Sequence, residues 1–188
     1  MAQNGTLLWL PNALTLARCA LAFWVAWLIY TLPALSILPF AAFVAVALTD
    51  FIDGFAARRL GAVSKLGALL DPIADKLLVG LSLIALTVKL EGDLVLLIPT
   101  LAIIVRDLLI TALRLFPSID LPVSQLAKWK TAIEMVGICG LLLAGAWISS
   151  FLWVLALILV WVAALLAVYT LGLYVGALLV NQNDRANT

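Results

Sequence analysis

Histidine is absent from this sequence of 188 residues, and cysteine occurs only twice, at Cys19 and Cys139. The absence of histidine excludes histidine acid–base catalysis and histidine metal ligation. The two cysteines lie far apart in apolar runs, so we expect small packed side chains and no disulfide framework. Charge is scarce as well. Charged residues make up 11% of the chain, and the net charge of +1 gives no reason to expect nucleic-acid binding.

Apolar residues are what the chain has in excess, at 66% of the sequence with a mean hydropathy of +1.22. A soluble domain of this length does not have such a composition, so we expect a polytopic membrane protein with a single membrane-embedded domain over residues 1–188. Helix is the expected state, because backbone groups in lipid must be hydrogen-bonded within their own segment. The predicted fold is an all-α bundle of six transmembrane helices, at about residues 11–32, 35–60, 64–90, 93–116, 123–148 and 150–180.

The basic residues predict the orientation of these spans. The turn after the second span, the stretch after the fourth span and the C-terminal tail all carry lysine or arginine. On the opposite side, the loop with Lys89, Glu91 and Asp93 is the only charged one. We therefore expect both termini and the basic side to face the cytoplasm, in the inner or cell membrane.

Four carboxylates interrupt the apolar pattern between residues 50 and 75. Read as two consecutive helices, the segments place their carboxylates at spacings of three and four residues, which share one helical face. A helical hairpin can then bring all four to one place. The first face holds Asp50, Asp53, Gly54, Ala57 and Arg58, and the second holds Gly67, Asp71 and Asp75.

Like charges gathered in a low dielectric repel each other, and a polyvalent cation relieves that repulsion. Ligation by carboxylates alone favours Mg²⁺, Mn²⁺ or Ca²⁺ over zinc or copper. The alternative is a buried ion-pair network with Arg58, Arg59 and Lys65. We favour the metal site, because ionisable residues inside a membrane are functional by default.

Two further groups of polar residues face the same side. Asn12, Thr15 and Arg18 recur every three residues in the first span. They form either a second part of the site or a helix cap at Asn12 with Arg18 reaching the lipid headgroups. The second group combines an arginine-rich end of the fourth span with a lysine-rich start of the fifth, and it reads as an anion pocket. Ion pairs of Asp107 with Arg114 and of Lys130 with Glu134 are the alternative.

The carboxylate stretch matches the signature D-x2-D-G-x2-A-R-x8-G-x3-D-x3-D at all eight fixed positions. The chain therefore resembles the CDP-alcohol phosphotransferase family of integral membrane enzymes. The family often opens with an Asn-x2-Thr-x2-Arg pattern similar to that of the first span. The resemblance extends from about Pro11 to the sixth span and is strongest between Asp50 and Asp75.

This resemblance implies transfer of a phosphatidyl-type group from a CDP-linked lipid to an alcohol, with release of CMP. It implies metal ligation, by two Mg²⁺ or Mn²⁺ ions, and a homodimer. The matching metal ligands are Asp50, Asp53, Asp71 and Asp75, and Asp75 also matches the general base. Around CDP-diacylglycerol the resemblance places Asn12, Thr15, Arg18, Asp50, Asp53, Gly54, Ala57, Arg58 and Gly67.

The run from Val123 to Ile138 is similar to the phosphatidylglycerophosphate synthase branch, which implies sn-glycerol 3-phosphate as the acceptor. Its phosphate would then lie in the anion pocket, which we assign to Lys65, Arg106, Arg114, Lys128 and Lys130. That branch has Arg-Glu where this chain has Arg106-Asp107, and Gln where it has Glu134. Arg-Asp occurs in the cardiolipin synthase branch, whose acceptor is phosphatidylglycerol.

The alternative from a different functional class is an ion-coupled transporter, because intramembrane carboxylates also serve ion transport. The charges gather at one side of the membrane, however. Many transporters consist of two halves related by an internal repeat, and we see no such repeat in this sequence. A purely structural subunit would not need four clustered aspartates. The sequence therefore favours an enzyme.

Overall fold

The computed structural model describes the backbone of residues 10–34, 36–60, 65–114 and 125–186. It describes the side chains of residues 16–34, 36–49, 73, 76–113, 126 and 129–176. Within these ranges the chain is helical and contains no strand. The helices are α1 (Leu10–Thr31), α2 (Leu38–Leu60), α3 (Lys65–Lys89), α4 (Leu94–Arg114), α5 (Gln125–Trp147) and α6 (Ser150–Ala186).

The six predicted helices are thus present, with shifts of a few residues at their ends. One detail of the prediction was wrong. Because α1 begins at Leu10, Asn12 lies inside the first turn and is not the residue that caps it. Asp93, in contrast, does cap α4, since its Oδ1 accepts a hydrogen bond from the Val95 N–H at 3.0 Å.

Three helices in the described part of the chain are long and apolar enough to cross a membrane, at Leu94–Leu113, Trp129–Trp147 and Ser150–Gly176. Shorter apolar stretches occupy Leu16–Thr31 and Leu38–Thr49. Large apolar side chains face outward along these helices, as at Phe151, which is 80% exposed. Such a surface suits lipid and not water, so these helices indicate an integral membrane protein.

Small residues allow α5 and α6 to pack closely, and this is the most extensive helix pair in the described structure. A Cβ atom at Gly140 would lie 2.7 Å from the Cβ of Ala156, and one at Gly137 would lie 2.9 Å from Val160 Cγ2. Close backbone approach through small residues is typical of helix pairs in membranes. The contact fixes α5 against α6, and α4 also packs on α6.

The second extensive pair joins α1 to α3. Lys89, the last residue of α3, donates hydrogen bonds to the carbonyl oxygens of Ile29 at 2.6 Å and of Leu32. These carbonyls belong to the end of α1, where a helix has no internal donors left for its last turn. Lys89 therefore caps α1 from a neighbouring helix.

Two connections contain residues with positive φ. Between α3 and α4, Glu91 has a φ of 57° and Gly92 a φ of 76°. Between α5 and α6, Ile148 has a φ of 50°, and the next amide, of Ser149, donates to the Ala144 carbonyl at 3.1 Å. The left-handed conformation is unfavourable for a β-branched side chain, so Ile148 is a strained position.

Candidate active site

The carboxylate signature lies on two consecutive helices. Asp50 and Asp53 belong to the C-terminal half of α2, and Asp71 and Asp75 belong to the N-terminal half of α3. Only residues 61–64 separate the two helices, so their facing ends cannot lie more than about 18 Å apart at about 3.6 Å per residue. The side chains of all eight signature residues lie outside the described ones.

A buried charged cluster joins α4 to α5. The Asp107 Oδ1 atom lies 2.9 Å from Nη1 of Arg106 and 2.7 Å from Nζ of Lys130. Lys130 Nζ lies 2.7 Å from Oε1 of Glu134, one turn further along α5. Lys130 is fully buried and Glu134 is 2% exposed. The Lys130 ammonium thus sits between two carboxylates, away from solvent.

Helix α6 reaches the same cluster through Thr170. Arg106 Nη2 donates to Thr170 Oγ1 at 3.2 Å, and Arg106 itself is 6% exposed. The Thr170 hydroxyl donates to the Leu166 carbonyl at 2.8 Å, which leaves its lone pairs for the arginine. The cluster therefore joins α4, α5 and α6, and the Arg106 guanidinium is held by two partners, the Asp107 carboxylate and the Thr170 hydroxyl.

Helix α3 reaches the cluster through Lys76, which follows Asp75 directly. Lys76 Nζ donates to the main-chain oxygen of Asp107 at 3.0 Å and to Oγ1 of Thr111. The Thr111 hydroxyl in turn donates to the Asp107 oxygen at 2.7 Å. These contacts place the buried cluster at the level of α3 where the signature ends.

Three cationic side chains (Lys76, Arg106 and Lys130) and two carboxylates (Asp107 and Glu134) thus meet among the described side chains. Hydrogen bonds and ion pairs fix their positions, and Lys76 directly follows the last signature aspartate in the chain. Arginine and lysine side chains held in fixed positions are suited to binding an anion such as a phosphate.

Residues 8–183 match the family of CDP-alcohol phosphatidyltransferases. The chain belongs to this family. The sequence-based resemblance is thereby confirmed.

Several proteins are similar to the chain over most of its length. The CDP-diacylglycerol–glycerol-3-phosphate 3-phosphatidyltransferase of Rickettsia bellii is 38% identical over 172 residues, covering 86% of this chain and 90% of the relative. The enzyme of the same name from Rickettsia typhi is 38% identical over 167 residues, covering 86% and 92%. A CMP-forming cardiolipin synthase of Oryza sativa is 35% identical over 154 residues, covering 72% of this chain and 46% of the relative.

For a CDP-alcohol phosphatidyltransferase, the donor set of the signature fits a hard divalent cation. It supplies four carboxylates and neither thiolate nor imidazole, and oxygen ligands are those that Mg²⁺ and Mn²⁺ prefer. Among the described side chains no group of three or more potential ligands is found.

The structure places the other predicted site residues as follows. Asp107 brings Arg106 and Lys130 together. Five other residues lie in helices of which the structure describes the backbone but not these side chains: Asn12, Thr15, Lys65, Arg114 and Lys128. Arg18 is 6% exposed, which argues against the alternative in which it extends to the headgroups. The Lys130–Glu134 ion pair, offered as an alternative to the anion pocket, is present; the described partners of Asp107 are Arg106 and Lys130.

Sequence reasoning missed Lys76 and Thr170. Lys76 lies one residue beyond the carboxylate face of α3, so a search along that face passes over it. One signal was available, because Lys76 is the only lysine or arginine between the first and last residues of α3, and an ionisable residue within a span warrants attention. Thr170 lies in an apolar stretch of α6, and nothing in the sequence marks it as the partner of Arg106.

Proposed function

We propose that this chain transfers the phosphatidyl group of CDP-diacylglycerol to sn-glycerol 3-phosphate, giving phosphatidylglycerophosphate and CMP. Family membership supports the reaction type, and the names of the rickettsial relatives support the acceptor. The observation that supports the acceptor assignment within this chain is the cluster that gathers the cations Lys76, Arg106 and Lys130 with Asp107 and Glu134. A free phosphate on the acceptor would be a ligand for such cations.

In the proposed mechanism, α2 and α3 bind the CDP-lipid through the signature. Asp50, Asp53, Asp71 and Asp75 would hold two Mg²⁺ or Mn²⁺ ions, which when bound neutralise the diphosphate charge. Gly54, Ala57 and Gly67 leave space for the nucleotide. Asn12, Thr15, Arg18 and Arg58 would complete the CDP-lipid site.

The acceptor would enter from the α4–α5 side. Arg106 and Lys130 hold its phosphate, together with Lys65, Arg114 and Lys128, and so direct its hydroxyl towards α3. The hydroxyl oxygen bonds to the phosphorus that carries the diacylglycerol, and the bond from that phosphorus to the oxygen of CMP breaks. Asp75 takes the hydroxyl proton, so that charge and atoms balance.

An acceptor panel with purified protein tests this proposal. The protein would receive CDP-diacylglycerol and Mg²⁺ with glycerol 3-phosphate, phosphatidylglycerol, inositol phosphate or serine, and CMP release would be measured. We expect release with glycerol 3-phosphate. If none of the four acceptors supports CMP release, the enzyme assignment is contradicted and the transporter hypothesis is favoured.

A second candidate is CMP-forming cardiolipin synthesis. It is favoured by the Arg106-Asp107 pair, which resembles that branch, and by the relative from Oryza sativa. Phosphatidylglycerol as the preferred acceptor in the panel would establish it in place of the first proposal. Neutralising Lys130 separates the two further: Lys130→Met should raise KM for glycerol 3-phosphate much more than KM for the CDP-lipid.

We further propose that all six helices cross the membrane, with both termini and the site on the cytoplasmic side, and that the protein forms a homodimer. The basic residues near the signature and in the tail support the orientation. Maleimide labelling of a cysteine placed at Thr188 or at Gly92, with Cys19 and Cys139 replaced, tests it in sealed vesicles. Equal accessibility of both positions from one side would contradict the proposal, and cross-linking in the membrane tests the dimer.

A further inference from the structure

The hydrogen atoms around Lys76 can be assigned from the donors and acceptors present. The Thr111 hydroxyl has one hydrogen, and its 2.7 Å contact with the Asp107 main-chain oxygen uses it. The same hydroxyl must therefore accept from the Lys76 ammonium, which carries only donors. A second ammonium hydrogen goes to the Asp107 oxygen at 3.0 Å. Lys76 thus donates to two oxygen atoms of α4, which belong to residues one helical turn apart.

Asp107 is held from two sides as a result. Its main-chain oxygen is bound by Lys76 of α3, and its carboxylate is bound at 2.7 Å by Lys130 of α5. A single residue of α4 therefore links the helix that carries Asp71 and Asp75 to the helix that carries Lys130. Ile73, Leu77, Ile103 and Leu108 line the groove between α3 and α4 around this contact.

We propose that Lys76 is a positioning residue, which sets the separation between the CDP-lipid site on α2–α3 and the acceptor-phosphate site on α4–α5. This inference rests on the proposed function. In-line transfer requires the attacking oxygen within about 3–3.5 Å of phosphorus, and a misplacement of about 1 Å can cost 10²-fold in rate. In an acceptor held by its phosphate, the distance from that phosphate to the hydroxyl oxygen is fixed by the acceptor itself. The separation between the two sites then decides whether the hydroxyl can approach the phosphorus of the CDP-lipid.

An acceptor without a phosphate is not fixed by α4 and α5, so it gains little from a correct gap. Lys76 therefore contributes to the preference for a phosphorylated acceptor over a plain alcohol. The informative quantity is the ratio of kcat/KM for sn-glycerol 3-phosphate to kcat/KM for glycerol. This ratio does not depend on the fraction of active protein, so a variant that is merely less stable leaves it unchanged.

Lys76→Met keeps the length of the side chain and removes the ammonium. We expect it to lower the ratio about tenfold or more, while the affinity for CDP-diacylglycerol stays within about twofold of the original. Thr111→Val should lower the ratio by a smaller factor, because the Asp107 oxygen still accepts from Lys76. Lys76→Arg, which can donate to both oxygens, should recover part of the loss. Thr111→Val keeps the test open if Lys76→Met does not fold.

Lys89→Met is the matched control. Lys89 also lies in α3 and also donates to two main-chain oxygens of another helix, but at the other end of α3. It should leave the ratio unchanged even if it lowers stability. An unchanged ratio in Lys76→Met, an equal fall in Lys89→Met or a loss of CDP-lipid binding in Lys76→Met would each overturn the proposal. If the original protein does not use glycerol 3-phosphate, the proposed function fails as well, and that result is visible before any variant is made.

Discussion

Asp107 of α4 and Lys130 of α5 form an ion pair of 2.7 Å whose ammonium is completely buried. Arg106 also contacts the Asp107 carboxylate, and Glu134 also contacts the Lys130 ammonium. A buried pair of this kind contributes little compared with apolar packing, but the loss of one partner leaves the other uncompensated. The pair therefore makes the α4–α5 contact intolerant of single substitutions.

The first prediction follows from this intolerance. Asp107→Asn should destabilise the protein by about 3–5 kcal/mol, because the buried Arg106 loses its described carboxylate and Lys130 loses one of two. Thermal unfolding in detergent micelles measures the effect. Asp93→Asn makes the same chemical change at an exposed helix cap, where Asn serves as well as Asp, and it should change stability little. Equal losses in the two variants would contradict the explanation.

The second prediction concerns the metal. A chelator should abolish CMP release, and Mg²⁺ or Mn²⁺ should restore it, because a site of carboxylates alone prefers hard cations. Asp50→Ala, Asp53→Ala and Asp71→Ala should each abolish activity while the protein still enters the membrane. Full activity in excess chelator would exclude the proposed metal site.

The third prediction concerns the base. Asp75 lies one turn beyond Asp71 in α3, about 6 Å along the helix axis. Asp75→Asn should lower kcat by about 10²–10⁴-fold if it removes only proton transfer. CDP-diacylglycerol affinity, measured beside kcat, should persist. Should binding and turnover fall together, Asp75 is a metal ligand and the base lies elsewhere.

The fourth prediction tests the close packing of α5 on α6. Gly140→Ala should destabilise the protein by about 1–3 kcal/mol, because its Cβ would lie 2.7 Å from that of Ala156. Adding Ala156→Gly should restore much of the loss, since it vacates the same space. Gly172→Ala is the control: no atom lies within 4 Å of its new Cβ, so it should be neutral or stabilising by up to about 1 kcal/mol. Thermal unfolding distinguishes the three variants.

The fifth prediction uses the strained turn between α5 and α6. Ile148→Gly should stabilise the protein by about 1 kcal/mol, because glycine adopts a φ of 50° without the Cβ clash and the isoleucine is 77% exposed. The measurement is again thermal unfolding. Ile158→Gly replaces an exposed isoleucine within α6, where glycine is unfavourable, and should lower stability. A loss in both variants would show that the strain at Ile148 is small.

The number of helices and their approximate positions could be predicted from the sequence, because lipid leaves the backbone only one way to satisfy its hydrogen bonds. The family could be predicted as well, since the signature is local and its spacing is fixed. The contact of Asp107 with Arg106 could not be predicted. Neighbours on a helix point about 100° apart, so the spacing offered Arg114, whose side chain lies outside the described ones, whereas the long Arg106 side chain returns to its neighbour at 2.9 Å.

Contacts between helices were the other gap. Spacing along α3 and α4 defines faces, but it does not define how far one helix is shifted along the other. The contacts of Lys76 with Thr111 and of Arg106 with Thr170 both depend on that shift. A threonine in an apolar helix has the same appearance in the sequence whether or not an arginine reaches it.

The cap that Lys89 places on α1 has a consequence for the order of assembly in the membrane. The carbonyl oxygens of Ile29 and Leu32 receive hydrogen bonds from a residue about sixty positions later in the chain. During synthesis these oxygens must therefore accept hydrogen bonds from water or lipid headgroups until the whole of α3 has left the ribosome. Helix α2 is synthesised between the two, so α1 and α3 can meet only after both helices that carry the signature have been made.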